Sequence, residues 1–173
     1  MKLSDSIKTK ILLLICISTI SLLELYWGFQ VGTEYRGTYS VAIFIPFIIQ
    51  PCWYYMVLFR KHRDYSKITK IKIISIVLIS FILPLIIYYT IPNYTYNDGK
   101  RFVEQYMNLD RKAEFINYSY SESTVPVLNC EKSLLGCSRK YYYGIKLDKE
   151  NKYVTVNAVS GKVTQLSEGY WGE

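Results

Sequence analysis

Apolar residues run almost unbroken three times in the first half of the chain, over residues 11–29, 41–59 and 73–91, each run being 19 residues long. At about 1.5 Å per residue each would reach roughly 28 Å as a helix, close to the ~30 Å hydrocarbon core of a bilayer. The pattern predicts three transmembrane α-helices. The only charged side chain inside them is Glu24; Ser, Thr, Gln50, Cys16 and Cys52 supply other polar atoms, which a helix backbone or a neighbouring helix can satisfy. Helices of a soluble core are the competing reading, but the 82 residues that follow are too few to cover runs this long and this uniform. Lys8 and Lys10 precede the first run as in a signal peptide, yet no Ala occurs before Ala42 and no A-x-A site is present, so the run is expected to stay as an anchor. Bulky Ile15 before Cys16 argues against lipoprotein processing.

Beyond position 91 the pattern changes. A polar stretch, Pro92 to Gly99, leads in, with Asn97 or Asp98 able to cap a helix. Over residues 100–115, Phe102, Tyr106, Leu109 and Ala113 recur at three- and four-residue steps and predict an amphipathic helix. Tyr141, Tyr143, Ile145 and Leu147 then alternate with Lys140, Tyr142, Gly144 and Lys146, and Tyr153 to Ala158 forms a second alternating run. Ser160-Gly161-Lys162 offers a turn before Val163 to Leu166, and an earlier strand within 116–128 would lie at an edge because of Pro126. The predicted fold class is a membrane protein with three transmembrane helices (1–91) followed by a small α+β exported domain (92–173), one helix on an antiparallel sheet.

The formal net charge of +7 then resolves into a topology signal. Lys2, Lys8 and Lys10 precede the first run, and Arg60, Lys61, Arg63, Lys67, Lys70 and Lys72 join the second to the third, whereas the connector between the first two has only Arg36. Nine basic residues against one predict a cytoplasmic N-terminus and 60–72 loop in the cell membrane, and an extracytoplasmic C-terminal domain. Attraction to anionic headgroups accounts for the basic loop without a nucleic-acid partner. Tyr26, Trp27, Phe29, Tyr88 and Tyr89 fall at the expected outer interface, with Glu24 one turn inside it as a candidate intramembrane polar site. Pro46, Pro51 and Pro84 predict kinks; with three spans and no inverted repeat, packing explains them better than transport.

Cys130 and Cys137 fall on the exported side, where thiols are commonly oxidised, and are predicted to form a disulfide closing a short loop. Their spacing fits neither a C-x-x-C redox pair nor a zinc knuckle, and the one histidine, His62, lies across the membrane, so no metal and no cofactor are expected.

Val154-Thr155-Val156-Asn157-Ala158-Val159-Ser160-Gly161-Lys162-Val163 resembles the strand-turn-strand signature of PepSY-type domains, V-x-V-D-A-x-T-G-x-V, with Asn157 and Ser160 in place of the usual Asp and Thr. The resemblance implies a helix packed on a small sheet outside the membrane, in a family associated with regulation of peptidases or with accessory roles in membrane proteins.

No G-x-S-x-G, H-E-x-x-H, G-x-x-x-x-G-K-[ST] or G-x-G-x-x-G motif occurs, and the chain is not expected to be an enzyme. The expected partners are the lipid bilayer and either another membrane or extracytoplasmic protein or a second copy of the chain. Two roles fit: an accessory or regulatory protein presenting an extracytoplasmic binding domain, or an immunity-type protein that intercepts a toxin or peptide outside the cell. Tyr141 to Tyr143 and Tyr170-Trp171 are the aromatic candidates for a contact surface, with about half of that set expected in the domain core.

Overall fold

The computed structural model describes residues 5–59, 66–108, 114–127, 139–147 and 150–172. Helices come first and an antiparallel sheet follows, in two compact units: residues 1–29 with 41–89, and residues 30–40 with 90–173. The sheet unit thus takes in the connector at 30–40 as well as the C-terminal segment.

The helical unit is built on α1 (Asp5–Tyr35), a 3-10 turn Val41–Phe44 leading into α2 (Ile45–Phe59), and α3 (Ser66–Thr90). Pro46 sits in the first turn of α2, where its missing N–H breaks no bond, and Pro51 and Pro84 lie inside helices. The Thr19 hydroxyl on α1 is returned to the helix itself, Oγ1 donating to the Ile15 carbonyl at 3.0 Å. Gly28 lets the Phe44 ring lie against α1, since a Cβ there would stand 2.6 Å from the ring; Phe44 also packs edge-on to Trp27 at 5.4 Å. Phe47, Tyr54 and Ile87 are fully buried, whereas Leu22 (67%), Phe29 (69%) and Phe81 (65%) are widely exposed. Among the described residues, Ile7–Tyr35 and Val41–Phe59 are long and apolar enough to cross a membrane, and Val77–Thr90 is a shorter apolar stretch.

The sheet unit pairs β1 (Glu114–Phe115) and β2 (Thr124–Pro126) with successive parts of β3 (Arg139–Leu147), which pairs with β4 (Glu150–Val156), and β4 with β5 (Val163–Leu166), all antiparallel. The period-two pattern sends Tyr141, Tyr143 and Ile145 of β3, with Val154 and Val156 of β4, to one face under α4 (Tyr96–Tyr106). Tyr142 and Tyr153 face the other way and pack with Tyr118 and Val125. Pro126 lies at the end of β2, paired with Arg139.

Three sequence expectations are corrected here. The helix cap is Thr95, not Asn97 or Asp98: Asp98 N donates to Thr95 Oγ1 while the Asp98 carboxylate accepts the Thr95 N–H, a reciprocal capping box. The helix stops at Tyr106 rather than running to Phe115, because Asn108 takes a left-handed conformation (φ 46°) just past the Met107 cap, and Phe115 joins β1. Tyr141, Tyr142 and Tyr143 are all core: α4 covers Tyr141 and Tyr143, and residues 116–125 cover Tyr142 on the opposite face.

Candidate functional site

The α4 face of the sheet holds an aromatic cluster whose polar ends are committed to the backbone. Tyr96 stacks on Tyr143 at 4.7 Å between centroids and stands edge-on to Tyr141 at 5.5 Å. Tyr143 and Tyr141, two residues apart on β3, donate their hydroxyls to carbonyls two residues apart, those of Tyr96 (2.6 Å) and Tyr94 (2.9 Å). Burial holds the Tyr143 hydroxyl well above the ordinary phenol range, and neighbouring Tyr96 and Tyr141 add to the effect. These phenols are structural locks.

Onto this cluster the connector delivers a cation. Tyr35–Arg36–Gly37–Thr38 is a tight turn with positive φ at both central residues (42° and 80°), closed by Thr38 N donating to the Tyr35 carbonyl at 2.9 Å. Gly37 adopts this at no cost; for Arg36 it costs about 1 kcal/mol. The Arg36 guanidinium lies 4.4 Å from the Tyr96 ring centroid, and Lys100 Nζ lies 5.9 Å from that ring and 5.2 Å from Phe115. Burial raises the Tyr96 phenol and the Arg36 charge works against that rise. Among the described residues, neither cation has a carboxylate within ion-pair distance.

A second surface carries ordered aromatics. Tyr170 and Trp171 pack edge-on at 5.0 Å and stay partly exposed, held by Trp171 Nε1 donating to the Glu122 carbonyl (2.8 Å) and Tyr170 N donating to the Tyr142 hydroxyl (3.1 Å).

In the helical unit, Glu24 does not stand alone. It is buried (8% exposed) one turn from Ser21, whose hydroxyl donates to Gln50 Oε1 at 3.0 Å, and Gln50 is 6% exposed. Among the described residues, Glu24 Oε2 and Gln50 Nε2 are buried without a hydrogen-bond partner. Tyr54 and Ser80 hydroxyls meet at 3.0 Å, and Gln50 and Ser80 border an apolar cleft of about 230 Å³ with Ile45, Pro46, Ile49 and Trp53. Ser21 and Gln50 were legible only as polar atoms in apolar runs; the three-residue spacing of Ser21 and Glu24 is the signal that marks a shared face.

Of the other sequence candidates, Lys8 and Lys10 lie on the first turns of α1, and Lys67, Lys70 and Lys72 fall within α3. Arg60, Lys61 and Arg63, and the Cys130 and Cys137 pair, lie outside the described residues, while Cys16 and Cys52 are free and exposed. Arg36, read only for its charge, is the residue that sequence reasoning missed; a lone base before Gly37 was the available cue. No protein-family model, no curated protein and no solved structure matches the chain significantly.

Proposed function

We propose that the chain is a multi-pass membrane protein of three crossings, with its N-terminus and 60–72 loop in the cytoplasm, and that it holds the sheet domain outside the cell membrane as a binding module of an accessory or regulatory kind. The observation that carries the reading is the inversion on the helices: Leu22, Phe29, Ile48, Phe81 and Leu85 face outward while Glu24, Gln50 and Ser21 face inward. Lipid favours that arrangement and water opposes it. The basic loop orients it. Binding rather than catalysis is supported in the sheet domain by phenols committed to carbonyls and by the ordered, exposed Tyr170-Trp171 pair. The turn in which Asn157 Oδ1 accepts from Val159 N (2.8 Å) and Ser160 N (3.3 Å), with Gly161 at φ 69°, does with Asn what an Asp carboxylate would do, in keeping with the PepSY-like reading.

Crosslinking in intact cells, then mild-detergent purification and mass spectrometry, tests the role. A recurrent stoichiometric membrane partner is the expected result; recovery alone or as a homo-oligomer overturns the accessory reading in favour of an immunity-type role, for which protection would appear only on toxin challenge.

A further inference from the structure

We propose that Arg36 and Lys100, set on the Tyr96 and Phe115 rings, form an anion site of the sheet domain that takes the phosphate of an anionic phospholipid headgroup. The inference deepens the functional reading and rests on it for the exported position of the domain.

Four observations converge. Two cations from segments far apart in sequence bear on one ring, at 4.4 and 5.9 Å from its centroid. No acid within ion-pair distance among the described residues compensates either one: Asp98 is engaged by Thr95 and by Arg101 (3.7 Å), and Glu34 is exposed on α1. The backbone is bent into a left-handed conformation at Arg36 itself, where a β-carbon is disfavoured, which is the kind of local strain that accompanies a positioned side chain. Finally, both side chains are half-buried against aromatic faces, so their orientation is set before a ligand arrives.

A planar guanidinium offers paired N–H donors to two phosphate oxygens and an ammonium adds a point charge, the usual division of labour around a phosphoryl group. Two uncompensated positive charges suit a phosphate bearing more than one negative charge better than a single carboxylate. The lipid source follows from the tether. Arg36 comes seven residues after Phe29 and five before Val41, the two outer ends predicted for the first and second crossings. Five residues reach at most about 18 Å when fully extended, so Arg36 is leashed to the headgroup layer.

The test uses the full-length protein in nanodiscs of phosphatidylcholine with or without phosphatidic acid, comparing the native chain with R36Q/K100Q. The bound phosphatidic acid per chain is read by native mass spectrometry, and protection of residues 96–106 by hydrogen exchange. The expected result is one phosphatidic acid fewer on the variant, with about thirtyfold weaker retention at that site at roughly fivefold per basic residue, and loss of lipid-dependent protection in α4. R36K/K100R, which keeps both charges, is expected to retain the lipid, separating charge loss from misfolding. Equal lipid counts and equal protection in the native chain and R36Q/K100Q overturn the proposal. Equal protection of 96–106 by inorganic phosphate in phosphatidylcholine discs overturns the lipid assignment. A C-terminal epitope tag accessible to antibody on unpermeabilised cells reads the topology separately: accessibility without the lipid effect defeats the site alone, and inaccessibility defeats the exported placement.

Discussion

The two units of this chain use polar atoms in opposite ways. In the sheet unit the buried hydroxyls of Tyr141 and Tyr143 each reach a carbonyl, and α4 begins on a closed capping box. In the helical unit many of the outward side chains are Leu, Ile and Phe, and the buried polar cluster is incomplete, with Glu24 Oε2 and Gln50 Nε2 left without partners among the described residues. In the sheet unit each buried phenol costs free energy unless it is bonded, so its partner is supplied by register. In the helical unit, if hydrocarbon surrounds it as proposed, the outside is as apolar as the side chains, so close packing and a few polar contacts hold the helices and small defects are tolerated. The difference gives the comparison testable content: polar deletions should be expensive in one unit and cheap in the other.

The largest effect is expected at Tyr143, which is 1% exposed, stacks on Tyr96 and touches Phe115. Tyr143→Ala should destabilise the sheet unit by about 4 kcal/mol, as for other large aromatic truncations. Urea unfolding of the full chain in detergent, followed by near-UV circular dichroism of the aromatic core, measures it. A loss below about 1 kcal/mol would mean the cluster is loosely packed and would break the comparison at its strong end.

Next comes Gly99, on the face of α4 toward the sheet. A Cβ there would run into the Tyr143 hydroxyl and stand 3.3 Å from Tyr141 Cδ2, so Gly99→Ala must displace the phenol that donates to the Tyr96 carbonyl. Although Ala is the better helix former, the expected outcome is a net loss of about 2 kcal/mol from overpacking. The same unfolding assay checks it, and a gain in stability would mean that α4 can lift off the sheet without consequence.

Much of this architecture was legible in advance, for reasons that particular residues make clear. The apolar runs marked helices by their length and uniformity, the alternation at Tyr141 to Leu147 follows from the two-residue period of a strand, and Gly161 marked its turn because only a glycine takes φ 69° freely. Leu109 and Ala113 continue the spacing of Phe102 and Tyr106 along the sequence, so the pattern alone did not reveal the helix end at Tyr106. Tyr142 read as a candidate for the contact surface; it is instead buried because Tyr118 and Val125 return across its face, a tertiary fact no local pattern encodes. Arg36 on Tyr96 joins residues sixty positions apart, and Glu24 with Gln50 joins two helices. Sites made by long-range contacts were the part that stayed hidden.

A middling effect is expected at the cap. Thr95→Ala removes the hydroxyl that accepts from Asp98 N and donates to the Asp98 carboxylate, and should cost about 1 kcal/mol at neutral pH. The Asp98 carboxyl is held below the usual aspartate range by the Thr95 N–H, then by the Thr95 hydroxyl. A carboxylate with a depressed native pKa stabilises the fold above its unfolded value, and that contribution disappears as pH falls through the native value. The gap between the native chain and Thr95→Ala should therefore narrow as pH approaches about 2, with the native chain falling toward the variant. Denaturation midpoints across acid pH measure it; a gap independent of pH would assign the cap to geometry without charge.

The smallest effects belong to the helical unit and decide whether the contrast holds. Ser21→Ala removes the hydrogen bond that Gln50 Oε1 accepts, and by the average for hydrogen bonds between membrane helices it should cost about 0.6 kcal/mol. Glu24→Gln keeps shape and replaces an oxygen that has no partner among the described residues, and Gln50→Leu removes an amide that likewise has none there, so each should leave stability in lipid unchanged or raised. Tyr143→Phe, an equally small change, should by contrast cost about 1 kcal/mol because it leaves the Tyr96 carbonyl without its phenol donor. Steric-trap or detergent-denaturation measurements on the full chain would read all four. Were Glu24→Gln or Gln50→Leu to cost more than Tyr143→Phe, the polar seam would have a partner that completes it in the bilayer, and Glu24 would become the first residue to test for one.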